Sequence, residues 1–376
     1  MSLPPSKKTM KALILNAPLK TAAVDPATPI PTPQRPGDLL IRVEAIALNP
    51  VDALYTFNPL GASGRTVGSD FAGTVVGVYS PPPSPSPSPL SSPSPPSPPA
   101  NDNDGTATIA PGDRVAGFLQ GACSANPRPG AFASFVVCPA DLVWKIPPGG
   151  MACEAAAAVS LCGLTAAQAV FYRLGLPAPF SYSRPAEREL GGGGATPGKG
   201  TVTVTGDGDD SGGSGEGGGG VLRFFVYGAS TSVGMYAAQL VRRSCEASGR
   251  RLCGAASRAR GRARRARVDG GEGELPTEPI YGAVWEGLGE EIQYQGFVVP
   301  ASEAAKRFAT DFYGWLSGGG ELRPNPIRLM PGGLDRVVPD GFMLLGSGAM
   351  EARQRDRTEE WMKPISAEKL VYRISG

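Results

Sequence analysis

The residues best suited to chemistry form a short turn rich in glycine and hydroxyl side chains, Tyr227–Gly234. The turn follows the apolar run Val221–Tyr227 and precedes a segment with helical spacing, from about Ser232 to Ser244. A glycine-rich turn between a strand and a helix lets N–H groups at the helix N-terminus bind a pyrophosphate. Its spacing departs from a strict G-x-G-x-x-G pattern, so a tight strand–helix connection without a ligand is the alternative. The residues expected to hold the cofactor are Gly228, Ser230, Thr231, Ser232, Val233 and Gly234.

A second short strand is expected at Leu252–Ala256, and the residues that follow it indicate which cofactor would bind. An acidic residue there would contact a free ribose 2′-hydroxyl, whereas the pair Ser257 and Arg258 suits a 2′-phosphate. We therefore predict NADPH as the cofactor. Arg258 also opens the arginine-rich run Arg258–Arg267, which is equally typical of a solvated face.

The composition excludes several other functions. The chain has no histidine, so His-bound zinc, Ser-His-Asp catalysis and an imidazole base are all excluded. Its six cysteines contain no C-x-x-C pair, so we expect free thiols and no metal site. The formal net charge of +2 gives no global reason to bind nucleic acid or an acidic membrane. The chain also lacks a run of about 18 apolar residues, and we expect a soluble cytoplasmic protein.

The elements that position these residues differ between the two halves of the chain. The first half predicts a β-rich, antiparallel domain, because apolar and β-branched runs alternate with turn residues. The predicted strands and turns are Ala12–Leu15, Leu39–Leu48, Phe71–Tyr79, Pro111–Val115 leading into a strand, and Ala131–Val137.

The second half changes to helical and parallel-sheet patterns. The alanine-rich segment Cys153–Leu174 predicts a helix with a break at Gly163, and the strand and helix around the glycine turn predict a parallel sheet. A later helix is predicted at Ser302–Leu316, ending at Gly318–Gly320, with an aromatic stripe that packs into the core.

Two low-complexity tracts interrupt these elements. Ser80–Ala100 contains 11 prolines, and it forms most of an insert that we place at 80–104. Gly191–Gly220 contains 15 glycines, and it forms most of a second insert at 181–220. Both are most simply insertions in surface loops, where added length costs little free energy.

Several motifs, the glycine turn among them, occur along the chain in a recognisable order. They are Ala47–Asp52, Gly68–Gly73, Pro111–Val115, Gly130–Val136, Leu161–Thr165, Tyr227–Gly234 and the tail Pro364–Tyr372. As an ordered set they resemble the medium-chain dehydrogenase/reductase superfamily. The resemblance is strongest to its zinc-free, trans-acting enoyl reductases of fungal polyketide pathways.

The resemblance implies an α/β fold with a GroES-like β-rich domain over 10–150. It also implies a Rossmann-type dinucleotide-binding domain over 151–285 and a C-terminal part, 286–376, that completes the fold. That second domain departs from the family, because only Arg258–Glu274 separates its second strand from Leu275–Trp285, which resembles a late part of the fold. At least one βαβ unit of about 30 residues is missing. We interpret this as an internal deletion near 259–274, or as an error in the gene model.

The resemblance also implies a reaction. Ser69 stands where zinc alcohol dehydrogenases carry a histidine, so hydride transfer from NADPH to an activated double bond would proceed without a metal. Asn49, Pro50, Val51 and Asp52 would shape the loop at the substrate and nicotinamide end, and Thr165 would approach the cofactor. Tyr55 is the nearby side chain suited to donate a proton, with water or a purely structural tyrosine as alternatives.

The implied substrate is an α,β-unsaturated acyl thioester, delivered by a polyketide synthase acting as partner. A quinone or small-enone oxidoreductase of the same superfamily is one alternative. The other is an inactive, truncated homologue that acts as an interaction protein, which the shortened nucleotide-binding lobe and the proline tract favour.

Overall fold

The structure is a computed structural model that describes residues 9–80, 109–182, 224, 226, 228–248, 282–294, 297–348, 350–353 and 356–374. Several sequence predictions lie outside these residues. They are most of the strand Val221–Tyr227, the strand Leu252–Ala256, Ser257, Arg258, and the deletion expected near 259–274. They remain predictions, as do the domain boundaries.

The described residues form eleven strands. These are β1 (Thr9–Asn16), β2 (Thr21–Pro29), β3 (Asp38–Ala47), β4 (Asp70–Val78), β5 (Arg114–Phe118), β6 (Phe135–Pro139), β7 (Val143–Lys145), β8 (Ile292–Tyr294), β9 (Phe297–Val299), β10 (Ile327–Met330) and β11 (Lys369–Arg373). The α-helices are α1 (Pro50–Phe57), α2 (Cys153–Ala157), α3 (Ser160–Ala167), α4 (Ser232–Ala247), α5 (Glu303–Ser317) and α6 (Met343–Leu345). A π-helical segment, Gln168–Arg173, continues α3.

The strands predicted for the first half are present, with one shift. Strands β1, β3, β4 and β5 coincide with their predicted runs, but the last predicted strand, Ala131–Val137, lies later, at Phe135–Pro139. In the early part of the predicted run, Ala133 forms an isolated β-bridge to Ala12. The fold is mixed α/β, as the sequence indicated.

The main sheet has seven strands in the order β10-β11-β3-β4-β5-β7, with β6 also paired to β3. The last strand of the described chain, β11, is antiparallel to β3, and β10 is parallel to β11. The C-terminal tail is therefore built into the sheet of the first half. Since β3 and β4 are neighbours in this sheet, residues at the end of β3, the start of β4 and the start of β11 lie close together.

The predicted break at Gly163 is wrong. Gly163 lies inside α3, and its N–H donates to the Val159 carbonyl at 2.7 Å. The helix is interrupted earlier, between α2 and α3, at Ala158 and Val159. There the Ala158 carbonyl accepts from the Tyr236 hydroxyl at 3.2 Å and from the Lys369 ammonium at 3.4 Å. A helix interior can accommodate a glycine. The break lies instead where two side-chain donors converge on one backbone carbonyl.

The helix predicted after the glycine turn and the helix predicted to carry the aromatic stripe are both confirmed. Helix α4 begins at Ser232 and extends beyond Ser244. Helix α5 begins after its N-cap Ser302, whose hydroxyl accepts from the Ala305 N–H at 3.1 Å. Its aromatic face is core, because Phe308 and Phe312 are buried against the ring of Phe180. Within the described part of the chain, no helix is long and apolar enough to cross a membrane.

Candidate functional site

Four of the motifs that carry the family resemblance meet in the core at one cluster of polar side chains. We call this cluster the junction network. Its side chains come from the loop after β3, the first turn of α1, the start of β4, helix α3 and the start of β11. Each residue is at most 5% exposed. The members are Asn49, Asp52, Ser69, Asp70, Cys162 and Lys369.

Asp70 is the acceptor at the centre of the network. Its carboxylate accepts from the Lys369 ammonium at 2.6 Å, from the Asn49 amide at 2.9 Å and from the Leu161 N–H at 2.9 Å. The donors reach it from the loop after β3, from α3 and from β11. A fully buried carboxylate is tolerable because a charge and two further donors compensate its lost hydration.

Asn49 connects the two carboxylates of the network. Its amide nitrogen donates to Asp70, its amide oxygen accepts from the Cys162 thiol at 3.4 Å, and its backbone N–H donates to Asp52 at 2.7 Å. Asp52 is the third residue of α1, so its side chain can reach back to the residue before the helix. The family resemblance implied that Asn49 and Asp52 shape the loop at the substrate and nicotinamide end. In the structure their polar groups bind mainly to the protein itself.

Asp52 has an unusual protonation equilibrium for a carboxyl group. Burial raises its pKa from 3.8 to about 7, and the nearby charge of Asp70 contributes to the rise. Hydrogen bonds from the Ser69 hydroxyl, at 2.6 Å, and from the Asn49 N–H act in the opposite direction and lower this pKa. Asp52 therefore changes its charge near neutral pH inside the core.

Lys369 is the cation of the network, and it bridges β11 to the helix break. Burial alone lowers the pKa of its ammonium, but Asp70 and Cys162 more than offset this, and the pKa lies above the ordinary 10.5. Burial raises the pKa of the Cys162 thiol, although Lys369 lowers it in part. The neutral thiol can then donate to Asn49 while Lys369 stays charged.

The glycine turn adjoins this network through the first turns of α4. The Thr231 hydroxyl caps the helix by accepting from the Gly234 N–H at 3.1 Å. The Ser232 side chain lowers the pKa of the Cys162 thiol slightly, against the larger effect of burial. The Tyr236 hydroxyl donates to the carbonyl at the α2–α3 break and accepts from the Asn325 N–H at 3.2 Å.

The turn has the features that a phosphate group needs. Gly228 has φ +75°, a conformation that favours glycine, and a Cβ on Gly234 would collide with the backbone of the turn. Ser230 and Thr231 are exposed, and the 16-residue helix α4 directs its first N–H groups towards them. The residues of the described turn therefore fit a pyrophosphate.

The other predicted site residues lie around the network. The Thr165 hydroxyl is half-buried and donates to the Leu161 carbonyl at 2.7 Å. Pro50 is exposed at the first position of α1, and the Val51 carbonyl accepts from the Cys123 thiol at 3.8 Å. Tyr55 is 1% exposed and borders a cavity of about 620 Å³ beside Lys20 and Leu54.

Sequence reasoning did not identify Asp70, Cys162, Tyr236 and Lys369 as site residues. The available signal was Lys369, which directly precedes the apolar run Leu370–Tyr372, because a charge in a central strand needs a partner.

Among the described residues, three buried amide side chains also have atoms without hydrogen-bond partners: Gln120, Gln168 and Asn325. Among those same residues, no group of three or more Cys, Asp or Glu side chains could hold a metal ion.

Comparison with known proteins agrees with this architecture. Residues 35–148 match the alcohol dehydrogenase GroES-like domain. The trans-enoyl reductase mycC of Thermothelomyces thermophilus is 34% identical over 158 residues, which cover 42% of this chain and 37% of that protein. The trans-enoyl reductase iliB of Hypocrea jecorina is 34% identical over 184 residues, which cover 47% of this chain and 45% of that protein.

The match therefore spans less than half of the length of these two curated relatives. Among solved structures, the CurK enoyl reductase is 15% identical, with 65% of this chain and 53% of that chain covered. Its TM-score is 0.36, which is too low to establish a shared fold.

Proposed function

We propose that this chain, a member of the medium-chain dehydrogenase/reductase superfamily with its GroES-like domain, is an NADPH-dependent enoyl reductase. Its substrate would be the carbon–carbon double bond of an α,β-unsaturated acyl thioester made by a polyketide synthase. The names of the curated relatives support this class of reaction, and the remaining support comes from the chain's own residues.

The observation that carries the proposal is the contact between helix α4, which follows the glycine turn, and the junction network. Tyr236, in the second turn of α4, and Lys369 donate to the same Ala158 carbonyl. Lys369 and Asn49, in the substrate loop, both donate to Asp70. A cofactor phosphate at the N-terminus of α4 would therefore lie beside the loop expected to shape the substrate end. A hydride-transfer enzyme needs its cofactor anchored close to the substrate loop, because the nicotinamide must reach the substrate double bond.

Each described residue then has a role that its position allows. N–H groups of the first α4 turn and the hydroxyls of Ser230 and Thr231 would bind the pyrophosphate. Bound NADPH would supply a hydride to the β-carbon of the substrate. Thr165 would border the nicotinamide, and Tyr55 or water would return a proton to the α-carbon. Ser257 and Arg258 lie outside the described residues and keep the role that the sequence predicts for them, which is binding of the 2′-phosphate.

The test begins with NADPH binding to the purified chain, followed by fluorescence and by thermal shift. Gly234→Ala provides a matched variant, because its methyl group would displace the turn that we assign to the phosphate. We expect the native chain to bind NADPH and the variant to lose most of that affinity. No binding by the native chain would overturn the proposal and leave an interaction protein as the better function.

Substrate class is tested next by comparing an enoyl thioester with a simple quinone. We expect NADPH oxidation with the thioester at the higher kcat/KM. Turnover of the quinone alone would instead identify a quinone oxidoreductase of the same superfamily.

A further inference from the structure

Lys369 occupies a position in the fold that its ion pair alone does not explain. Its ammonium donates to Asp70 at the start of β4, to the Ala158 carbonyl between α2 and α3, and to the Cys162 thiol in α3. One cation on the last strand thus contacts three separate elements. Its side chain is 2% exposed, so solvent cannot substitute for any of these contacts.

Two paths lead from this ammonium to the two sides of the proposed active site. The first passes through Asp70 to the amide of Asn49, in the substrate loop. The second passes through the Ala158 carbonyl to the Tyr236 hydroxyl, in the second turn of α4. Both paths consist of direct hydrogen bonds between buried residues, and both depend on the same nitrogen atom.

The alternative is that Lys369 serves folding alone. Buried ion pairs contribute little net stability, since desolvation of both charges cancels most of their attraction. Neutralising both partners together is then roughly neutral for stability, whereas removing one partner leaves an unpaired buried charge. This asymmetry allows stability and positioning to be separated by experiment.

We infer that Lys369 is a positioning residue that holds the substrate loop, at Asn49, and the cofactor-binding helix α4, at Tyr236, in a fixed mutual arrangement. The inference rests on the proposed function, because it assigns a role within that same site. It gives the C-terminal tail a part in the reaction although the tail belongs to neither the cofactor turn nor the substrate loop.

The test uses Lys369→Met, the double variant Asp70→Asn/Lys369→Met, and Lys145→Met as a matched control. Lys145 also forms a lysine–aspartate pair on the main sheet, with Asp113 at 2.8 Å. Its partners among the described residues, Asp113 and Ser317, lie outside the junction network. We expect Lys369→Met to lower kcat/KM for the enoyl thioester by roughly 10- to 100-fold, as misplacement of reactants does. The double variant should regain most of the lost Tm but not the lost kcat/KM, and Lys145→Met should keep a native kcat/KM.

Native kcat/KM in Lys369→Met, or full recovery of kcat/KM in the double variant, would overturn the inference. A native chain that binds no NADPH would overturn the proposed function instead, and amide hydrogen exchange then tests Lys369 without activity. We expect Lys369→Met to accelerate exchange at the Asn49 N–H and at the Gly234 N–H together, with neither affected in Lys145→Met. Acceleration at only one of the two amides, or at neither, contradicts the inference.

Discussion

Replacing Asp52 by asparagine should change how the free energy of unfolding depends on pH. The folded protein holds the Asp52 proton up to a pKa of about 7, whereas the unfolded chain releases it near 3.8. Between these values the folded state binds more protons than the unfolded state. The free energy of unfolding therefore falls as the pH rises through this window, and the effect levels off above about pH 7.

The size of the effect follows from the two pKa values. The pKa values of Asp52 in the folded and unfolded states differ by roughly three units, and about two of these units lie between about pH 5 and pH 8. One unit corresponds to about 1.4 kcal/mol, so Asp52 should cost the native chain roughly 3 kcal/mol over this interval. An asparagine does not titrate, and Asp52→Asn should lack this decrease. The asparagine replaces one carboxylate oxygen, so one acceptor, for the Ser69 hydroxyl or for the Asn49 N–H, is lost. We expect this loss to lower the free energy of unfolding by about 1 kcal/mol at either pH.

The assay is denaturant unfolding of both proteins at about pH 5 and pH 8, because the difference between variants cancels the other titrating groups. Asp335→Asn is the matched control, since its side chain is 64% exposed. We expect the stability of Asp52→Asn relative to the native chain to rise by roughly 3 kcal/mol between the two pH values. We expect the stability difference between Asp335→Asn and the native chain to be the same at the two pH values. The same result for Asp52→Asn would refute the assignment of a neutral buried carboxyl.

Three further predictions concern helices α4 and α5. Tyr236→Phe should cost about 1–2 kcal/mol by denaturant unfolding, because the lost hydroxyl bonds two buried backbone groups. Tyr313→Phe is its matched control and should be neutral or stabilising, since that buried hydroxyl has no hydrogen-bond partner among the described residues. Thr231→Ala should cost about 1 kcal/mol as a lost N-cap, whereas Thr310→Ala, within a helix, should cost less by the same measurement. Gly234→Ala should lower Tm as well as NADPH affinity, because its Cβ would collide with the turn, and a native Tm would contradict the close approach seen there.

Much of the fold could be predicted from local sequence. Strands β3 and β4 were predicted from their β-branched and apolar runs, and α4 from the turn and hydroxyl cap that precede it. These features depend on residues a few positions apart, so the order of amino acids contains the needed information. Asn49 and Asp52 were predicted as site residues through the motif that contains them.

The tertiary structure decided which charges meet and what they do there. Asp70 and Lys369 are 299 positions apart, and neither has a local partner that predicts the pair. The helix break shows the same effect, because the sequence suggested Gly163 while donors from α4 and β11 meet at the Ala158 carbonyl. The pKa of Asp52 likewise depends on burial, which no neighbour in sequence imposes.

The physical reason is the difference in range between the two kinds of interaction. Backbone hydrogen bonding and helix capping operate within about one helical turn, so the sequence by itself determined the elements and the glycine turn. The cost of burying a charge must be met by whichever groups packing brings close, and those groups come from distant parts of the chain. For this protein the sequence determined the segments to which we assign the proposed reaction, and only the tertiary structure decided that Lys369 lies where they meet.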